Sequence, residues 1–220
     1  MSAVSDLDSI IFWLDLIGVV VFAVSGALTA SRKQMDVVSF ALIAIVTGIG
    51  GGTIRDVLLD RTPVFWIANP LYLAIGCGAA LIVFFTAHVV ESRYRVLLWA
   101  DAAGLGLFCV IGAETALASG APVGVAVLMG VITATFGGLV RDVLCAEVPL
   151  ILRREIYATA AALGAGTYCL LDALGVGRDL TVILSFLAGF GLRAVGLAFG
   201  LSLPAYRGRP GRDYGDGRPD

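Results

Sequence analysis

Seven apolar stretches, each close to the length of a membrane crossing, follow one another along this chain. They fall at about 10–30, 36–59, 70–91, 96–118, 121–145, 155–175 and 179–200. A helix needs about 20 apolar residues to cross a bilayer. Short polar or proline-bearing links separate them: SRKQMD from Ser31, DRTPVFWIANP from Asp60, ESRYR from Glu91 and GVGRD from Gly175. The pattern predicts an all-α membrane protein with seven transmembrane helices. From Arg207 the chain turns into RGRPGRDYGDGRPD, too polar to bury a core, so residues 204–220 are expected to be a disordered cytoplasmic tail.

Composition agrees with the pattern. The 220 residues are 59% hydrophobic and 15% charged, against about 25% charged in a soluble domain, and the mean hydropathy is +0.94. A net charge of −2 gives no basic surface for nucleic acid. Cys77, Cys109, Cys145 and Cys169 sit singly in apolar segments without a CxxC or His/Cys cluster, which argues against a zinc site or a disulfide framework. His88, the only histidine, closes an apolar run and is read as an interfacial side chain. The opening MSAVSDLDSI is acidic, unlike the basic start of a signal peptide, so the first apolar run is read as a retained helix.

Basic residues orient the chain. With the N-terminus outside, the inner links hold Arg32, Lys33, Arg93, Arg95, Arg153 and Arg154, and the inner tail adds Arg207, Arg209, Arg212 and Arg218. The outer links hold only Arg61 and Arg178. The positive-inside rule therefore predicts N-out and C-in.

The sequence also repeats itself. A shift of 86 residues, Thr47 onto Thr133, aligns Trp13 with Trp99, Asp15 with Asp101, Gly18 with Gly104, Phe22 with Phe108 and Gly26 with Gly112. The same shift aligns Gly51-Gly52 with Gly137-Gly138, Arg55-Asp56-Val57-Leu58 with Arg141-Asp142-Val143-Leu144, and Pro63 with Pro149. The predicted units are 1–92 and 93–176, each of three helices, followed by a seventh helix over 177–203. Three crossings per unit make the second unit inverted, a plan found in transport proteins. It does not by itself choose between channel and carrier.

Gly50, Gly51 and Gly52 stand within the second apolar stretch. Each glycine weakens a helix by about 1 kcal/mol relative to Ala, so a kink or a short unwound turn is expected there. Freed carbonyls are tolerated at that depth only in protein or beside water, and they can ligate a hard cation. Close helix packing is the competing reading, and it is preferred for Gly18, Gly26, Gly104 and Gly112. Arg55 and Asp56 follow the break. As sequence neighbours they face each other poorly on a helix, and an intramembrane charge costs about 2.5–3.5 kcal/mol without a partner. The topology offers Asp15 to Arg55 near the outer face and Asp101 to Arg141 near the inner face, with Asp142 beside the second arginine. The pairs are read as stations along an ion path or as clamps between helices.

Glu114 replaces Leu28 of the first unit. It is expected to draw cations to the outer mouth or to sit at the interface. Thr47, Thr133 and Ser25 bring hydroxyls near the breaks, although such hydroxyls commonly bond their own helix. Arg193, which has no counterpart in the repeat, is left to a lipid phosphate or an acidic partner.

GIGGGTIRDVLL and its echo FGGLVRDVL, set in three plus three plus one spans, resemble the prokaryotic branch of the trimeric intracellular cation channel family over about residues 8–200. The resemblance implies a homotrimer with one pore per protomer, lined by kinked second and fifth helices, and permeation of monovalent cations, chiefly potassium. Its glycine motifs match Gly50–Gly52 and Gly137–Gly138. Phe136 stands where a full second triplet would have glycine, and is read as a constriction. The lipid-binding basic motif of animal members has no match, so bound membrane lipid is the only lipid expectation. Similar domains have been labelled glycine transporters, so a carrier for a small amino acid is the rival. No nucleophile pair, metal triad or phosphate loop is legible, because the triple glycine lacks the GK[ST] ending. The chain is therefore read as a non-enzyme needing no cofactor beyond the permeant ion.

Overall fold

The computed structural model describes residues 2–89 and 92–204, with side chains from Phe12 onward. Among the described residues there are eight α-helices: α1 (Ser2–Arg32), α2 (Val37–Leu58), α3 (Phe65–Ala68), α4 (Leu71–Thr86), α5 (Arg93–Ala118), α6 (Val123–Leu144), α7 (Ala158–Ala173) and α8 (Arg178–Phe199). Single 3-10 turns lie at Ala87–Val89 and Leu150–Leu152. The expected tail lies beyond the described residues from position 205.

The all-helical expectation holds, and six of the described helices are long and apolar enough to cross a membrane. The stretch expected as a sixth crossing, 155–175, is instead the 16-residue α7. At 1.5 Å per residue it reaches about 24 Å, against roughly 30 Å of hydrocarbon. The residues just before it are not helical. An antiparallel bridge joins Glu155 to Ser202, and Leu203 N–H donates to the Arg154 carbonyl at 3.1 Å.

The helix ends follow local rules. Asp36 caps α2 by accepting from the Ser39 N–H at 2.8 Å, which satisfies one of the orphan donors of the first turn. Helix α6 starts from Pro122 and has no side-chain cap. Both helices stop alike. Arg61 N–H donates to Asp56 O, and Glu147 N–H to Asp142 O, each at 2.8 Å. Asp60 and Ala146, at φ +53° and +51°, take the left-handed position of this terminator, where glycine is the usual occupant.

Helices α1, α2 and α4 pack on one another, as do α5, α6 and α7, and the two groups meet along α1–α5 and α2–α6. The central helices are α1 and α5, with 61% and 67% of their apolar stretch buried. Helix α8 lies outside, against α7 and α5, with 22% buried. The α1–α5 contact is built from a stacked ring pair, Phe22 on Phe108, with centroids 5.2 Å apart. Each ring sits over a glycine of the opposite helix: a Cβ on Gly18 would meet Phe108 at 2.9 Å, and one on Gly104 would meet Phe22 at 3.0 Å. Outward faces carry Val38, Leu42, Ile82, Phe85, Leu128, Ile183 and Leu187, all exposed. These faces suit lipid contact.

Candidate functional site

The glycine motifs meet at the crossing of α2 and α6. A Cβ on Gly51 would lie 2.0 Å from the Thr133 carbonyl oxygen, and one on Gly137 would lie 2.2 Å from the Thr47 carbonyl oxygen. Only bare backbone fits at such distances, which is how small residues bring membrane helices together. The contacts pair 51 with 133 and 47 with 137, so the helices run antiparallel. Their charged C-terminal ends therefore leave the crossing in opposite directions. Helix α2 is continuous from Val37 to Leu58 and α6 from Val123 to Leu144. The short unwound turn expected at the glycines is thus absent from both described helices, because the facing backbone supports the helix where propensity alone would break it.

The threonines join the seam to the central helices. Thr47 Oγ1 donates to Ile43 O at 2.5 Å and Thr133 Oγ1 to Met129 O at 2.7 Å, so both hydroxyls are spent on their own helix. Each Oγ1 also lies 2.6 Å from where a Cβ would stand on Gly26 or Gly112 respectively. Phe136 and Gly50 line an apolar groove of about 270 Å³ with Ile54, Trp66 and Val140 on the flank of the seam. No charged side chain lines that groove.

Beyond the crossing lie two charged stations. Arg141, fully buried, donates Nε–H to Asp142 Oδ1 at 2.8 Å and Nη1–H to Asp101 Oδ1 at 2.7 Å. It also donates Nη1–H to Ser25 Oγ of α1. Asp142 Oδ2 accepts from Leu150 N–H at 2.9 Å, fixing the 3-10 turn. Arg55 donates Nε–H to Asp56 Oδ1 at 2.8 Å, and Asp56 Oδ2 accepts from Phe65 N–H at 3.0 Å. Arg61 adds a looser ion pair to Asp56 at 3.7 Å, and Arg55 lies 5.6 Å from the Phe65 ring centroid.

Two expectations need correction. Adjacent Arg and Asp do pair, at both stations, because the flexible arginine curls back from the last turn and brings Nε to its neighbour. The proposed partner of Arg141, Asp101, is in place. The proposed partner of Arg55, Asp15, forms no ion pair with it in the described structure: Asp15 Oδ1 is buried without a hydrogen bond, with Arg55 and Tyr72 as its strongest polar surroundings. Glu114 is held by Arg178 at 2.5 Å. Arg193 takes an acidic partner, Glu155, at 2.7 Å and donates to the Ile156 carbonyl at 3.0 Å.

Residue-level reading missed Tyr72, Phe65 and Tyr157. Tyr157 precedes α7 as Tyr72 opens α4, and each faces the first-helix aspartate of its own group. Their separation is one residue short of the repeat, because the connecting loops differ, so a gapless alignment passes over them. Phe65 covers Gly52, where a Cβ would lie 2.6 Å from the ring.

Comparison with known proteins follows this geometry. The family model described as Glycine transporter matches residues 12–88 and 98–173. A UPF0126 membrane protein of Vibrio cholerae serotype O1 is 39% identical over 199 residues, 90% of this chain and 83% of its own. The UPF0126 inner membrane protein YadS of Escherichia coli K12 is 43% identical over 159 residues, 70% and 75% of the two chains. The TRIC trimeric intracellular cation channel orthologue from Rhodobacter sphaeroides superposes with a TM-score of 0.86 at 54% identity, covering 88% of this chain and 100% of that one. A prokaryotic TRIC channel in 0.5 M KCl gives 0.83 at 30% identity, covering 89% and 99%. With the doubled Gly-Gly-x-x-Arg-Asp motif and its antiparallel seam, these likenesses mean that the chain, an integral membrane protein, belongs to the prokaryotic branch of the trimeric intracellular cation channel family.

Proposed function

We propose that the protein is a potassium-preferring monovalent cation channel of the inner membrane, a homotrimer with one path in each protomer beside α2 and α6. The observation that carries this reading is the 54% identity and 0.86 TM-score to the cation channel orthologue from Rhodobacter sphaeroides. The charged stations suit the role. Each arginine is paired with a carboxylate, so neither station presents a bare positive charge to a cation. Asp101 and Asp142 tip the Arg141 station towards negative, while at the other station Arg55 and Arg61 offset Asp56 and Asp15.

The two units, 1–92 and 93–176, are read as inverted copies. The support is reciprocity: Gly18 meets Phe108 as Gly104 meets Phe22, and Gly51 meets Thr133 as Gly137 meets Thr47. Contacts of the form i with j and j with i are the mark of a two-fold axis. Helix α7, with the non-helical residues 155–157 before it, makes the sixth crossing in this reading, and the seventh helix, α8, lies within 177–203, with the N-terminus outside and 204–220 as a cytoplasmic tail. Lipid covers the exposed apolar faces.

In this reading the seam is closed, where no side chain fits between Gly51 and Thr133. Conduction therefore requires α2 and α6 to bend or part at Thr47, Gly50–Gly52, Thr133 and Phe136–Gly138, exposing Arg55, Asp56, Arg141 and Asp142 to the ion. The test is reconstitution of the pure protein in a planar bilayer under a potassium chloride gradient. Discrete openings that reverse near the potassium potential are expected. Silence together with saturable glycine uptake into vesicles would replace the channel with the carrier named by the family model.

A further inference from the structure

Tyr72 and Tyr157 face the first-helix aspartates of their own groups, and they are held there in different ways. Tyr72 stands edge to face with two rings, Phe12 at 6.0 Å and Phe65 at 4.7 Å between centroids. Tyr157 has no ring partner among the described residues. A cation lies over it instead: the Arg193 guanidinium carbon is 5.1 Å from the ring centroid, within reach of a cation–π contact.

Arg193 belongs to α8, the helix outside the repeat, and is 1% exposed. Its Nη2 pairs with Glu155 Oε2 at 2.7 Å, and its Nη1–H donates to the Ile156 carbonyl at 3.0 Å. One guanidinium thus grips three consecutive residues, by the side chain of Glu155, the backbone of Ile156 and the ring of Tyr157. A planar fork of donors can do this, and the point charge of an ammonium cannot. The rest of α8 receives the same segment. Gly196, one turn further on, leaves room for Ile156, whose Cβ would lie 3.2 Å from a Cβ at that glycine. Past the helix end, Ser202 bridges to Glu155 and the Leu203 N–H reaches the Arg154 carbonyl. Residues 155–157 are not helical, so no i to i−4 ladder sets the direction of Tyr157. Its side chain is aimed by these tertiary contacts.

We propose that Arg193 is a positioning residue: from α8 it holds the segment from Glu155 to Tyr157 so that the tyrosine hydroxyl stays on Asp101, the carboxylate that pairs with Arg141. The second station then depends on a helix outside the repeat, whereas Tyr72 at the first is held by rings of its own unit. The holding of Tyr157 stands on side-chain geometry alone; its bearing on ion passage rests on the channel reading.

Unfolding of the full chain in mixed micelles with increasing dodecyl sulfate tests this as a double-mutant cycle. Tyr157→Phe removes the hydroxyl and keeps the ring under Arg193. In the wild-type background it is expected to lower the folded-to-unfolded ratio about tenfold or more, as for a lost hydrogen bond to a charged group. In Arg193→Met the tyrosine is no longer aimed, and the same substitution is expected to lower the ratio about threefold or less, the non-additivity of residues that act through one another. Glu155, with its side chain 30% exposed, can turn to water in that variant. Arg193→Lys keeps a positive charge near the ring but not the fork, and its hydroxyl penalty is expected to fall between the two. Tyr72→Phe is expected to lose the same factor in all three backgrounds. A full hydroxyl penalty in Arg193→Met, as expected if Arg193 merely anchored the segment, overturns the proposal. A full penalty in Arg193→Lys overturns it too, since charge without the fork would then suffice, and this comparison carries the test if Arg193→Met does not fold. Because the cycle needs no ion flow, a protein silent in bilayers would sink the channel reading and leave the cycle standing.

Discussion

The Arg55 and Arg141 stations begin with the same four residues, Arg-Asp-Val-Leu, and end in different surroundings. At Arg141 the guanidinium is closed in by Asp142, Asp101 and Ser25, contributed by three helices. At Arg55 the partners are local: Asp56 from the same turn and the Phe65 ring from the start of α3, the next element. Half-exposed Arg61 shares the Asp56 charge. A repeated motif thus copies the backbone end and the intrahelical ion pair. It does not copy the tertiary partners, which depend on what the neighbouring helices and loops bring. The consequence is a division of labour. The Arg141 station ties α1, α5 and α6 together, and the Arg55 station ties α2 to the short α3 that follows it.

The largest test of this contrast is to remove each arginine. Arg141→Met leaves Asp101 and Asp142 buried without their cation, and breaking a buried pair costs about 3–5 kcal/mol. Arg55→Met leaves Asp56 with Arg61 and the Phe65 N–H, and is expected to cost about 1.5–3 kcal/mol, the range for lost hydrogen bonds to a charged group. Unfolding in mixed micelles with increasing dodecyl sulfate would measure both. Equal losses would dissolve the distinction between the stations.

The seam is predicted to treat its two halves alike. Gly51→Ala and Gly137→Ala each push a methyl into opposing backbone and are expected to lose about 1–3 kcal/mol or more by overpacking. Gly50→Ala, whose Cβ has only the Gly137 Cα at 3.5 Å, is expected to be tolerated and to gain up to about 1 kcal/mol from helix propensity. A Gly50 variant as damaging as Gly51 would point to backbone flexibility rather than close approach as the reason for the triplet. Bilayer currents from Gly50→Ala then decide whether that flexibility matters for opening.

A smaller effect is expected at the part-exposed pair of Glu114 and Arg178. Glu114→Gln should change stability by no more than about 1 kcal/mol, with the difference shrinking in high salt. The smallest concerns the helix starts. Hydrogen bonds from Ser39, backbone first and then hydroxyl, hold the Asp36 carboxyl below the usual aspartate value of 3.8. Because the folded value is the lower one, the cap contributes in full above 3.8 and is lost as pH falls through the folded value. The melting difference between wild type and Asp36→Ala should therefore close in acid, and no such pH dependence is expected at α6, which starts from Pro122.

Much of this was legible in the residues. Hydrophobic runs located the long helices, the 86-residue offset found the two stations, and the inverted topology brought Asp101 to Arg141. The self-bonding of Thr47 and Thr133 followed from what hydroxyls do in membrane helices. Three features were not legible. Whether three glycines break a helix depends on what stands opposite, and Thr133 is remote in sequence. The curl of arginine onto the next residue is a rotamer choice that spacing rules on Cβ positions ignore. Tyr72 and Tyr157 were hidden by a one-residue difference between loops, so chemically equivalent positions were not numerically equivalent.

The bareness of the α2–α6 contact also bears on how quickly the two rods could separate. Where cores interlock through branched side chains, sliding one element past another obliges many torsions to leave their wells together. Between Gly51 and Thr133, and between Gly137 and Thr47, no such torsions exist. What must be given up is dispersion, about 0.1–0.2 kcal/mol for each atom pair. Such a joint resembles a smooth bearing more than a latch, and its resistance should rise gradually with displacement instead of failing at one step.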